Sequence, residues 1–190
     1  ITTSTSARQH VDGGYIDHID PVTLATEQKN ANFDQTMLLR LAAIWAPTDH
    51  ITVTPSIYYQ DRYRNDVEAY WPLYSNPGND RFISADPTQR SAPDRFYLGA
   101  LKFEADLGSA KLISNTSYYH RQDETGYDGT LYNLGFFQTF FGPDFGLMNP
   151  LMIDGSGVHL PPGATNYRAP ASVDNYQQNF TQEIRLQSND

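Results

Sequence analysis

Short turns and long loops alternate along this chain. They join segments in which the residues differ in character with a period of two. Segment 51–62 is the clearest, because Ile51, Val53 and Ile57 fall on one side and threonine, serine and glutamine on the other. A side-chain period of two is the signature of a β-strand whose faces meet different surroundings. The same alternation predicts six strands in all, at 4–15 (the weakest), 33–45, 51–62, 97–107, 110–122 and 180–187.

The connections between these strands are sorted by length. Residues 46–49 (Ala-Pro-Thr-Asp) and Gly108-Ser109 form tight turns, whereas residues 13–32, 63–95 and 123–178 are far longer than connections in compact domains. Antiparallel strands joined in this order carry every short turn at one end and every long loop at the other. That arrangement is typical of outer-membrane β-barrels, which have short periplasmic turns and long extracellular loops. A soluble β-sandwich has no reason to sort its loops in this way.

Composition removes several other classes of protein. The net charge of −9 disfavours a nucleic-acid partner, and the absence of cysteine excludes disulfide frameworks and thiolate chemistry. No apolar run reaches the roughly 18 residues of a membrane-spanning helix, and the chain shows little helical periodicity. A membrane protein built from strands is consistent with all of these observations.

The two sides of the predicted strands fit a barrel wall, which presents apolar atoms to lipid and accepts charge towards a watery lumen. Lys102 and Glu104 lie opposite Leu101 and Phe103, for example. In segment 33–45, Leu39 and Leu41 are expected to face lipid, and Arg40 between them is expected to face the lumen. The predicted fold is therefore all-β: an antiparallel up-and-down meander forming part of a transmembrane β-barrel wall, about six strands with long extracellular loops.

Four short motifs resemble one family. They are Gly-Gly-Tyr-Ile-Asp at 13–17, Trp-Ala-Pro-Thr-Asp at 45–49, Ser-Asn-Thr-Ser-Tyr at 114–118 and Phe-Thr-Gln-Glu-Ile-Arg-Leu-Gln-Ser at 180–188. In this order they are similar to a barrel-strand rim, a periplasmic hairpin and two strands of TonB-dependent outer-membrane receptors of the iron-complex type. The resemblance implies a barrel of about 22 strands. Residues 1–190 would then be one partial barrel domain, about a quarter of the wall.

The resemblance also implies a function. The whole receptor would lie in the bacterial outer membrane and take up a scarce solute, first of all a ferric siderophore, with energy delivered through the TonB complex. The partners of this chain would be outer-membrane lipid, the plug domain of the same receptor, the TonB complex through that receptor, and a small-molecule ligand. No catalytic constellation is recognisable, so neither enzymatic activity nor a cofactor is expected.

Aromatic residues in the long loops are the candidate ligand contacts. Tyr70, Trp71 and Tyr74 lie in one loop, and Tyr132, Phe136, Phe137, Phe140 and Phe141 lie in another. Aromatic rings provide stacking area at low entropic cost, and Arg81, with Arg62 and Arg64, would attract an anionic ligand. The more ordinary interpretation is that these rings pack the loops together or form an interfacial aromatic girdle.

Three further alternatives stay open on the sequence alone. The chief one is a secreted, soluble β-sandwich with a carbohydrate-binding edge formed by the aromatic loops. A hydrolase on a β scaffold comes next, although Ser156 and the scattered histidines lack a recognisable catalytic spacing. Asp17, His18 and Asp20 could be metal ligands, but ordinary loop polarity explains them more simply.

Overall fold

The computed structural model describes residues 1–141, 151–160 and 163–189, without the side chains of 137–141. Strands make up most of it, together with one α-helix and a short 3-10 turn at Pro77–Asn79. In chain order the elements are β1 (Thr2–Asp12), β2 (Ile16–Ile19), β3 (Thr26–Gln28), β4 (Asp34–Thr48), β5 (Ile51–Arg64), β6 (Phe82–Ser84), β7 (Ala92–Asp106), β8 (Ala110–Asp128), α1 (Thr130–Phe141), β9 (Met152–Asp154), β10 (Gly157–His159) and β11 (Pro170–Ser188).

The six long strands form one sheet in the order β1-β4-β5-β7-β8-β11, and every neighbouring pair is antiparallel. Each long strand therefore pairs with the next long strand of the chain. The predicted all-β class and antiparallel meander are confirmed. The sheet does not close on itself within the described residues.

The strands turn at one end of the sheet through Asp49-His50 and through residues 107–109, where Gly108 has a φ of 87°. We call this the turn end. Three long connections start from the opposite, loop end: the first spans 13–33, the second 65–91 and the third 129–169. The length sorting predicted from sequence is thus present in the fold.

Two boundaries predicted in the third connection are wrong. β8 continues to Asp128 and β11 begins at Pro170, so that Asp123–Asp128 pairs with Pro170–Asn175. Alternation is lost there because polar residues occupy both sides, although the main-chain ladder continues. Helix α1 was also missed, since its aromatic residues and Gly135 give it little amphipathic pattern.

The register gives the sheet two different faces. Residues paired across strands share a face, as in the row Thr5, Leu41, Ile57, Gly99, Tyr118 and Phe180. The apolar face contains this row with the residues at even spacing from it, including Leu39, Val53, Leu101, Phe103, Ile184 and Leu186. The polar face contains Arg40, Arg62, Asp94, Lys102, Arg121 and Glu183 among others, with a few apolar exceptions such as Leu38 and Leu98.

The buried core lies in the connections instead of against the sheet. In the long strands only Asp34, Ala105 and Asp123 are buried among the described residues, whereas Ile16, Ile19, Ile83, Ala85 and Val158 are buried in the connections. The three-stranded sheet β3-β2-β6 joins the first connection to the second through the parallel pair of β2 and β6. The long sheet is consequently a single layer, and nearly all of its described residues are half-buried or exposed.

Candidate functional site

Arginine–carboxylate pairs are concentrated at the loop end of the long sheet. Arg62 reaches Oδ2 of Asp34 through NH2 at 2.5 Å and Nε at 2.6 Å. Arg121 makes a bidentate pair with Asp94, and two longer pairs accompany them, Arg64–Glu68 at 3.4 Å and Arg90–Glu124 at 3.7 Å. Arg62 and Arg64, which the sequence suggested as attractors of an anionic ligand, therefore already have acidic partners.

A cavity of about 340 Å³ opens beside these pairs, where β1, β4 and β5 meet the first two connections. Its walls are polar and consist of His10, Asp12, Tyr15, Asn32, Asp34, Thr36, Gln60, Arg62 and Glu68. Asn32 shapes one wall, since its Oδ1 accepts the main-chain N–H groups of Tyr15 and Ile16 at 2.8 Å each. The volume falls within the range of about 300–1,000 Å³ that is usual for ligand sites.

Closer to the turn end, the polar face has first a row of aromatic side chains and then a row of small ones. Tyr58, Phe96 and Tyr119 form an aromatic ladder across three strands, with ring centroids 5.4 and 5.7 Å apart. The row beyond it contains only small side chains, namely Ser4, Ala42, Ser56, Ala100, Ser117 and Thr181. A hollow of about 380 Å³ overlies part of this row, so another body can approach the main chain closely there.

The predicted aromatic contacts of the second connection are largely occupied in packing. Trp71 donates its Nε1–H to Asp86 Oδ1 at 2.9 Å, and its ring stacks on Tyr74 at a centroid distance of 5.8 Å. Both rings pack against the core formed by Ile19, Ile83 and Ala85. Burial raises the pKa of Asp86, although the hydrogen bond from Trp71 opposes this effect.

The other two candidates of the second connection lie further out. Tyr70 is 41% exposed and meets Phe82 edge to face, with centroids 5.2 Å apart. Arg81 is exposed, is held by main-chain bonds to Asn76, and has no acidic partner among the described residues. The hydroxyl of Tyr74 donates to the carbonyl oxygen of Asp154 at 2.9 Å, which links the second connection to the third.

Tyr132 and Phe136 form a separate aromatic pair on α1. Their ring centroids are 6.2 Å apart, and the rings are 71% and 41% exposed. The side chains of Phe137, Phe140 and Phe141 lie outside the described part of the chain. The six candidate residues are thus divided between two connections, and ligand contact by them stays a prediction.

A buried histidine joins the first connection to the second. The sequence did not predict this contact. His18 Nδ1 lies 3.1 Å from Asp66 Oδ2, and its Nε2 lies 3.4 Å from Glu27 Oε2. Burial is the largest single influence on the pKa of His18, and it lowers this pKa. The hydrogen bond and charge of Asp66, with the charges of Glu27 and Asp86, raise the pKa by more. The pKa of His18 is therefore higher than usual. No sequence signal could find this contact, because its partners are 48 positions apart.

The suggested metal trio separates in the structure. Asp17 Oδ1 accepts the N–H of Asn30, and Asp20 Oδ1 accepts the N–H groups of Val22 and Thr23, while His18 points to Asp66. Among the described residues no group of histidine and carboxylate side chains is arranged to hold a metal ion. Loop polarity explains Asp17 and Asp20 fully.

Ser156, His159 and Asp154 do meet in the β9–β10 hairpin. The Oγ of Ser156 lies 2.9 Å from His159 Nε2, but Asp154 Oδ1 contacts this same nitrogen at 3.3 Å. A catalytic triad needs the carboxylate on the opposite ring nitrogen, so that the imidazole can take the serine proton. Asp154 instead accepts the N–H and O–H of Ser156, which is the geometry of a turn.

Comparison of this chain with family models, curated proteins and solved structures finds no match. Within the described residues, no helix is long and apolar enough to cross a bilayer.

Proposed function

We propose that this chain is a section of the wall of a TonB-dependent outer-membrane receptor, one partial barrel domain over residues 1–190. The whole receptor would take up a scarce solute with energy passed from the TonB complex. The single observation that carries the proposal is the uncovered apolar face of a single-layer sheet. In water such a face would be costly, at roughly 25 cal/mol for each Å² of apolar surface. In contact with lipid, this free-energy cost of exposing apolar surface to water would not arise.

The dimensions and chemistry of the apolar face support contact with lipid. Ile57, Phe180 and Ile184 are 55%, 65% and 70% exposed. From Ile51 to Tyr59 the strand has the length of a membrane-crossing strand, about 9–11 residues. Trp45 lies towards the turn end, and Tyr59, Tyr97 and Tyr176 lie towards the loop end. Aromatic residues at both borders of an apolar band are typical of outer-membrane strands.

Polar side chains inside this band bind each other. Gln182 accepts a hydrogen bond from Thr116 Oγ1 at 2.6 Å and donates one to Ser114 Oγ at 2.9 Å. A hydrocarbon environment demands such pairing, because an unsatisfied polar group there costs several kcal/mol. The ion pair of Arg95 with Asp61 lies beyond Tyr59 towards the loop end, where lipid headgroups and water would meet it.

The properties of the polar face are consistent with its facing a lumen that another domain fills. Several charges of this face pair across strands, as in Arg62–Asp34, Arg121–Asp94 and Lys111–Glu104. Its row of small residues permits close approach by a second body, for which the plug of the same receptor is the proposed occupant. The cavity at the loop end is where a small-molecule ligand would meet this section of wall. The resemblance implies a ferric siderophore, and Arg81, which is exposed but does not line the cavity, is a cation that could attract an anionic chelate.

The soluble β-sandwich is less consistent with this geometry. A sandwich requires a second sheet packed face to face on the first. In the described part of the chain, the two smaller sheets belong to the connections and leave both faces of the long sheet exposed. Exposed aromatic pairs such as Tyr132 and Phe136 would suit carbohydrate binding in either setting, so they do not favour the sandwich.

Cysteine labelling in intact bacteria tests the proposal. Residues 1–190 contain no cysteine, so Lys29→Cys in the first connection and Asp49→Cys in a turn each add the one thiol of this section, and any cysteine elsewhere in the complete protein is first replaced by serine. With the complete protein in its outer membrane, a membrane-impermeant maleimide should label Lys29→Cys in intact cells and label Asp49→Cys only after lysis. Equal labelling of both in intact cells, or recovery of the protein in a soluble fraction, would refute the receptor-wall assignment.

A further inference from the structure

The imidazole of His18 joins two connections that are distant in the chain. It belongs to β2, and its principal partner Asp66 follows the end of β5; the two side chains are each only 2% exposed. We propose that protonated His18 is a latch that holds the first connection against the second and thereby positions the two walls of the loop-end cavity. His18 is a positioning residue in this account, because it does not line the cavity itself.

The geometry favours a charged imidazole. Both ring nitrogens face carboxylate oxygens, Asp66 on one side and Glu27 on the other. A neutral imidazole has only one N–H and would point a lone pair at one of these oxygens, whereas the imidazolium donates to both. A buried carboxylate without a counter-charge is strongly unfavourable, so the pairing is also needed by Asp66.

Asp66 extends the latch through the second connection. Its Oδ1 accepts the main-chain N–H groups of Val67 at 2.8 Å and Arg90 at 3.1 Å, which lie near the two ends of that connection. The guanidinium of Arg90 is directed to Glu124 and does not compete for Asp66. Asp86, which follows β6, adds a further negative charge near His18, and Ser84 lies beside His18 in the parallel pair with its buried Oγ unpartnered.

The latch acts on the cavity through short main-chain paths. Ile16, two residues before His18, donates its N–H to Asn32, and Asn32 and Tyr15 form one cavity wall. Glu68, two residues after Asp66, also lines the cavity. Separation of His18 from Asp66 would therefore change the distance between Tyr15 and Glu68.

The direction of the pH effect follows from the raised pKa of His18. A group whose pKa is higher in the folded state contributes stability that is complete below its unfolded pKa, about 6.5. That contribution is lost as pH rises through the folded pKa. The latch is therefore closed at acidic pH and loosens as pH rises through the raised pKa of His18.

Spin-label distances measure this opening directly. In the intact protein, labels on Lys29→Cys and Ala69→Cys would report the separation of the first and second connections, since both residues are exposed. Residues 1–190 contain no cysteine, and any cysteine elsewhere in the protein is first replaced by serine. The distance distribution should be narrow at low pH and should broaden or lengthen with a midpoint above about 6.5, the value of an unperturbed histidine. A distribution that does not change with pH would overturn the proposal.

Three variants separate a latch from general alkaline loosening. His18→Gln should abolish the transition, and Glu27→Gln, a half-exposed site that should not disturb folding, should move its midpoint to lower pH. His159→Gln, which alters an exposed histidine paired with Asp154, is the control and should change nothing. An unmoved midpoint in Glu27→Gln, or a transition that persists in a folded His18→Gln, would refute the latch. Because the connections lie outside the proposed membrane band, neither result depends on the receptor assignment.

Discussion

Arg121 of β8 donates two hydrogen bonds to the carboxylate of Asp94 of β7, from Nε to Oδ1 at 2.8 Å and from Nη2 to Oδ2 at 2.9 Å. Their Cα positions are not directly opposite, because Arg121 pairs with Phe96 and Asp94 with Asp123. The pair is therefore diagonal and ties two rows of the polar face together. Asp123, whose Oδ1 lies 3.5 Å from Arg121, reinforces it.

A double-mutant cycle with Arg121→Gln and Asp94→Asn should give a coupling energy of about 1–2 kcal/mol. Bidentate, partly buried pairs are stronger than exposed pairs, which contribute roughly 0.2–1 kcal/mol. The matched control is the exposed pair Arg185–Glu183 at 2.7 Å, for which about 0.5 kcal/mol or less is expected. Urea unfolding of the protein refolded in lipid provides the measurement. Equal coupling in the two pairs would contradict the ranking.

Gly14 provides a second prediction, on the first connection. Its φ is 73°, and an added Cβ would lie 2.6 Å from the carbonyl oxygen of Asn30. Gly14→Ala should therefore cost at least about 1–2 kcal/mol, the usual penalty of left-handed backbone for an L-residue. Gly13→Ala meets nothing within 4 Å and should change stability by less than about 0.5 kcal/mol. Hydrogen exchange at the amides of Tyr15 and Ile16 measures the local effect; similar exchange in the two variants would count against it.

The sequence predicted the sheet well and the connections poorly, for a physical reason. In the long strands every residue lies on one of two faces with different surroundings. The alternation of polar and apolar residues therefore shows directly on which face residues such as Ile57 and Leu101 lie. In the connections, structure depends on single contacts between distant segments. His18 with Asp66, and Trp71 with Asp86, leave no local pattern. The sequence therefore suggests Trp71 as a candidate ligand contact, whereas in the structure its indole N–H is bonded to Asp86 and its ring packs on the core.

The bond between Trp71 and Asp86 predicts a pH-dependent fluorescence signal. Burial raises the pKa of Asp86, so the second connection should lose stability as pH rises through that pKa. In a Trp45→Phe background Trp71 is the only tryptophan of residues 1–190, and its emission should titrate with a midpoint above about 3.9, the value of an unperturbed aspartate. Asp86→Asn should remove the titration. Its persistence in that variant would assign the signal to another group.

The last prediction concerns which face of the sheet meets lipid. Leu41 shares the apolar row with Ile57 and Phe180, whereas Arg40 lies opposite Ser6 and Tyr58 on the polar face. Leu41→Arg should therefore place a charge in hydrocarbon, at a cost of roughly 2–4 kcal/mol near the bilayer midplane. Arg40→Leu should cost much less, because a watery lumen does not require a charge at that position.

Folding stability of both variants in lipid vesicles measures this difference. Arg40→Leu must also be made with the plug deleted, since loss of an arginine that pairs with a plug carboxylate would leave that carboxylate unsatisfied. The test applies to the whole sheet. Side chains alternate between the two faces along each strand, and residues paired across strands share a face, so the result for Leu41 and Arg40 fixes the face of every other residue. If Arg40→Leu is the more damaging change without the plug, the polar face is not the lumen face and the proposed orientation of the wall is wrong.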